Sequence, residues 1–113
     1  MALDVRGVTP LRQVYDMPTS VRFYRDVLGF EVLTTSPVLG HDRFHWALLR
    51  LGNAELMLNT AYEFDRDRPA EPDAARTAAH DDTGLFFGCA DVDAAFAELR
   101  ASGSLLGVIK VSG

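Results

Sequence analysis

The run Val14-Tyr15-Asp16-Met17-Pro18-Thr19-Ser20-Val21-Arg22-Phe23-Tyr24-Arg25-Asp26-Val27-Leu28-Gly29-Phe30 decides how the rest of the chain is read. Asp16 is a helix N-cap, and Pro18 falls in the first turn, where no backbone bond is lost. Val21, Tyr24, Val27 and Leu28 recur at helical spacing, and Gly29 supplies the left-handed stop. Val8 to Tyr15 before it reads as a strand, with Pro10 near its start. The pattern returns 75 positions later, where Leu85 to Asp91 leads into Val92, Ala95, Phe96 and Leu99 and a stop at Gly103. An internal repeat constrains a fold more than any local pattern does. Here the second copy is short: ten residues follow Gly103, against some thirty of strand-like sequence after Gly29.

Between the copies, Phe30–Pro37, Phe44–Leu51 and Ala54–Thr60 read as strands. Gly52-Asn53 suits a two-residue hairpin turn. That turn pairs Arg50 with Glu55, Leu48 with Met57 and Trp46 with Asn59. Phe44, Trp46, Leu48 and Arg50 then share a face with Glu55, Met57 and Asn59. His45, Ala47, Leu49, Leu56 and Leu58 take the other, and a one-residue slip would exchange the two sets. Residues 63–82 hold seven acidic residues, three arginines and two prolines, which marks a solvated linker with a short helix near Ala74–Ala79. A strand at Gly84–Cys89, the Asp91-capped helix and a last strand at Leu105–Val111 complete the order β-α-β-β-β, linker, β-α-β.

With 113 residues, 48% hydrophobic and 24% charged, the composition is that of one globular domain. A net charge of −5 argues against nucleic acid or an anionic membrane as partner. Cys89 is the single cysteine, which rules out an intrachain disulfide and points to a reducing cytoplasm. No apolar run reaches membrane-spanning length, and the N-terminus lacks the apolar core of a signal peptide.

The motif Ser20-x-x-Phe23-Tyr24-x-x-x-Leu28-Gly29-Phe30, the repeat and the element order together resemble the vicinal oxygen chelate superfamily. That group includes glyoxalases, bleomycin resistance proteins and extradiol dioxygenases. The resemblance implies an α+β fold of paired βαβββ modules whose mixed sheet curves into a cup. Module one would span about residues 8–60, a linker 61–83, and a second module truncated to about βαβ 84–113. In catalytic members, a divalent metal takes ligands from the first and fourth strands of each module. The matching first-strand positions here are Thr9 and Gly84, neither a credible ligand. Glu55 matches on the fourth strand, and its module-two counterpart lies beyond the last residue. One carboxylate is not a metal site, and Arg50 opposite Glu55 offers it an ordinary cross-strand partner.

Other chemistry is thin. His45, Glu55 and His80 have the residue types of a two-His, one-carboxylate triad, but the register puts His45 and Glu55 on opposite faces. His80 falls in the linker, and His41 follows a turn at Gly40. Tyr24 lies on the helix's apolar stripe. Cys89, at a helix start but with no base related to it, reads as a small buried side chain. No nucleophile elbow, P-loop or CxxC is present.

The cup residues say more. Leu11, Gln13, Trp46, Leu48, Glu55, Met57, Asn59 and Phe86 would line an apolar cavity with a few polar groups, the usual make-up of a ligand pocket; plain core packing is the competing explanation. The resulting expectation is a metal-free binder of a small, partly aromatic molecule at or near a dimer interface. The alternative is a metal-dependent lyase or dioxygenase that uses Glu55 with ligands from another chain. The apolar Leu105–Val111 segment, as an open sheet edge, would pair with a second protomer into a homodimer or larger homo-oligomer.

Overall fold

A computed structural model describes residues 3–62, 65–79 and 84–101. Its centre is a mixed, curved, open sheet of four strands in the order β1-β4-β3-β2. The strands are β1 (Leu11–Val14), β2 (Glu31–Thr35), β3 (Trp46–Leu51) and β4 (Ala54–Thr60). β1 runs parallel to β4, and the other neighbours are antiparallel. Helix α1 (Met17–Arg22) connects β1 to β2, α2 spans Ala74–Ala79 and α3 spans Val92–Ala101. The architecture is α+β.

The β3–β4 hairpin has the register expected from its turn: Arg50 faces Glu55, Leu48 faces Met57 and Trp46 faces Asn59. Gly52 holds φ +59°. Positive φ at the first central residue is the type II′ requirement that glycine meets without strain. The same register fixes the faces. Ala47, Leu49 and Leu58 are fully buried and Leu56 nearly so, together with Met17 and Val21 of α1, which packs on β4. A helix laid over one sheet face thus makes the core, and on the opposite face the described residues are exposed or half-buried.

Helix α1 is built as its sequence requires. The Asp16 carboxylate accepts the Thr19 N–H at 3.3 Å, and the Asp16 carbonyl accepts the Ser20 N–H. Beyond Arg22 the helix widens into a π turn over Phe23–Val27. It carries Phe23 and Tyr24 into edge-to-face contact, and Tyr24 likewise meets Phe30. Tyr24 is therefore a packing residue, and burial raises its phenol pKa despite the opposing charge of Arg12. Gly29 ends the element at φ +91°.

Several expectations need correction. β1, β2 and β3 are shorter than the apolar runs that announced them. Phe44 lies ahead of β3, and a bend at His45 breaks the alternation between it and Trp46. Phe44 is instead buried and lines a groove with Met17 and Pro18. Gly84–Cys89 forms no strand: a strand needs a ladder partner, and none is present for it among the described residues. Cys89 is accordingly exposed. The predicted strand Leu105–Val111, and His80, lie outside the described residues.

The chain divides into two compact units, Met1–Ala70 and Glu71–Gly113. In the second, Asp91 repeats the capping of Asp16, its carboxylate accepting the Ala94 N–H at 2.9 Å and its carbonyl the Ala95 N–H.

Candidate functional site

The open face of the sheet is organised in three rows that run across the strands. Leu11 is in register with Met57, Met57 with Leu48, and Leu48 with Thr34, which gives an apolar middle row. Gln13, Asn59 and Trp46 form the next row, two amides beside an indole. On the other side lie Glu55, Arg50 and Glu31, joined at the approach to β1 by Thr9. The bulge between Val32 and Thr34 inserts one residue, and this brings Glu31 and Thr34 onto the same face.

Seven of the eight residues expected to bind a ligand therefore come together: Leu11, Gln13, Trp46, Leu48, Glu55, Met57 and Asn59. Leu11 is 52% exposed, whereas Leu49 and Leu58 on the helix side are at 0%. Trp46, Leu48, Met57 and Asn59 are half-buried. The face is thus an accessible surface with apolar character. Phe86 belongs to the second unit, where it is 91% exposed.

Glu55 does not turn to Arg50. The Thr9 hydroxyl donates to Glu55 Oε2 at 3.2 Å. His45 is on the far side, with Nδ1 3.5 Å from the Thr60 hydroxyl. Among the described residues no three of His, Cys, Asp and Glu stand close enough to hold a metal ion. At the Glu55 position itself the donors brought together are one carboxylate and the Thr9 hydroxyl, a pair that does not fit a divalent metal that needs about three N/O ligands.

A feature that sequence reasoning did not find lies at the end of the sheet. Asp16, Met17, Pro18, Arg22, Arg43, Phe44 and Arg68 line a groove of about 190 Å³. Its residues come from three segments far apart in sequence, so no local spacing announces it. Arg68 Nη1 stands 3.4 Å from Asp16 Oδ2, and its guanidinium lies over the Tyr15 ring at 5.4 Å. The Tyr15 hydroxyl donates to the Pro69 carbonyl and ties the segment after β4 to β1.

The fold has counterparts among known proteins. The sequence profile of the Glyoxalase/Bleomycin resistance protein/Dioxygenase superfamily matches residues 8–110. The chain belongs to that superfamily. Similar solved structures include an antibiotic-binding protein from Streptomyces sp. CB03234, at 22% identity and a TM-score of 0.57, covering 90% of this chain and 74% of that one. A glyoxalase/bleomycin resistance protein from the same organism is 24% identical with a TM-score of 0.53, covering 84% and 72%. A virulence protein from Salmonella typhimurium is 21% identical with a TM-score of 0.57, covering 100% and 81%. Comparison with curated protein sequences returned no match. No helix among the described residues is long and apolar enough to cross a membrane.

Proposed function

We propose that this chain binds a small, partly aromatic molecule on the open sheet face, without a metal, and that it does so as a homo-oligomer. The observation that carries the reading is the apolar row Leu11–Met57–Leu48 beside Trp46, Gln13 and Asn59 on a face whose described residues are exposed or half-buried. An indole and aliphatic side chains offer a flat ring a surface to stack on, and the amides orient it by hydrogen bonds. The antibiotic-binding relative supports this class of ligand. The lyase or dioxygenase alternative needs donors that Thr9 and Glu55 do not supply.

Trp46 is the single tryptophan, so its fluorescence reports on the site directly. Titration with a panel of small aromatic and glycopeptide compounds, read by Trp46 emission and thermal shift, tests the reading. We expect at least one compound to raise the melting temperature and perturb Trp46, with Met57→Ala weakening it at least tenfold. A panel in which no compound does either would overturn the proposal. Light scattering at micromolar concentration should give a dimer or larger species, and a monomer would remove the oligomer from it.

A further inference from the structure

We infer that the segment leaving β4, residues 66–70, is a strap that holds β1 in the sheet and so sets what fraction of the molecules presents a complete open face. β1 is the shortest of the four strands and stands at one end of the strand order, beside β4. It nevertheless supplies two residues of the face, Leu11 and Gln13. A short strand at the end of a sheet has few hydrogen bonds to lose. Such elements open locally at low cost unless something else fastens them.

The fastening is at Tyr15 and Asp16, the two residues after β1. The Tyr15 hydroxyl donates to the Pro69 carbonyl. The Arg68 guanidinium lies over the Tyr15 ring, and its Nη1 faces Asp16 Oδ2 at 3.4 Å. On the β4 side, Tyr62 meets the Tyr15 ring edge to face at 6.4 Å, and the Ala61 N–H donates to the Val14 carbonyl at 3.2 Å. Each contact is modest by itself at a surface, but all of them act on the same short strand. Asp16 also caps α1 through Oδ1, so the strap bears on the strand and on the helix that follows it.

A ligand that needs Leu11 and Gln13 in place binds the fastened population only, and its apparent affinity falls with that fraction. Tyr15 and Arg68 are positioning residues in this sense. The consequence for a ligand rests on the reading of the open face given above, whereas the strap can be tested without one.

NMR-detected amide exchange on the full chain makes that test. The Met57 and Ala61 N–H groups bond the Pro10 and Val14 carbonyls across the β1–β4 seam, whereas the Ser36 and Thr60 N–H groups bond the Trp46 and His45 carbonyls on the β3 side. Arg68→Gln and Tyr15→Phe should each speed exchange at Met57 and Ala61 roughly fivefold or more, with Ser36 and Thr60 unchanged. Arg68→Lys keeps the charge opposite Asp16 and should recover part of the loss. Arg100→Gln, at an exposed position on α3, should exchange as wild type. The inference is overturned if Met57 and Ala61 keep wild-type rates in both variants. It is equally overturned if Ser36 and Thr60 accelerate by the same factor, since the loss is then of general stability. Any compound of the aromatic panel that perturbs Trp46 should lose affinity in the same two variants. A panel without such a compound removes the reading of the open face and leaves the exchange result standing.

Discussion

The Thr9 hydroxyl donates to Glu55 Oε2 across 46 positions of chain, 3.2 Å apart. The carboxylate at the superfamily's fourth-strand ligand position is thus satisfied by a hydroxyl at its first-strand position. Both belong to the row of charged groups at one side of the open face. Protein purified without chelator should therefore carry no stoichiometric Mn, Fe, Ni or Zn, and EDTA should leave its melting temperature unchanged. Elemental analysis that finds one metal per chain would contradict this.

The two faces of the hairpin should respond differently to truncation. Leu49 and Leu58 are fully buried under α1, and Leu→Ala there removes buried methyl groups and leaves a cavity, for a loss of about 2–5 kcal/mol. Leu48→Ala on the open face should cost clearly less and act mainly on ligand binding. Urea denaturation of Leu49→Ala and Leu48→Ala measures the contrast, and equal losses would contradict the assignment of faces.

Asp16 and Asp91 cap their helices in the same way, each carboxylate accepting the N–H three residues on. Replacing such a cap by alanine costs about 1 kcal/mol. Asp16→Ala also removes the ion pair with Arg68. We expect both variants to melt lower than wild type, with Asp16→Ala affected at least as much as Asp91→Ala by calorimetry.

Arg25 sets an acid limit on stability. Its hydrogen bonds hold the carboxyls of Asp42 and Asp26 below the ordinary range. A depressed folded-state pKa contributes stability that is fully present above the unfolded value of about 4, and this is lost as the pH falls through the folded value. The melting temperature should thus fall between pH 5 and the folded-state values, roughly the acid range described for paired aspartates. Arg25→Gln should flatten that dependence and lower stability near neutrality by about 1 kcal/mol, since Arg25 is itself a third exposed. An unchanged pH profile in Arg25→Gln would refute the link. Asp42 at φ 55° marks the turn that the pair anchors to the π turn after α1.

What could be read from the sequence was whatever depends on near neighbours. Gly52-Asn53 fixes the hairpin register, and the register fixes which of Leu48 and Leu49 points to the core. Asp16 and Asp91 declare their helices because a cap acts within three residues. Alternation and capping are local rules, so local sequence carries them. Leu11, Gln13, Trp46, Leu48, Glu55, Met57 and Asn59 could be placed on one face for the same reason, once the resemblance put β1 in the same sheet cup.

Tertiary structure decided everything that needs a distant partner. Sequence offered Glu55 a partner in Arg50 across the hairpin, and only the packing of β1 against β4 shows that the hydroxyl of Thr9 is bonded to it instead. Gly84–Cys89 has the composition of a strand, yet composition cannot provide the second strand whose hydrogen bonds would make it one. The arginine groove draws on positions 22, 43 and 68, which no periodicity connects. They line one groove because β1 and β4 finish, and β3 begins, at the same end of one sheet.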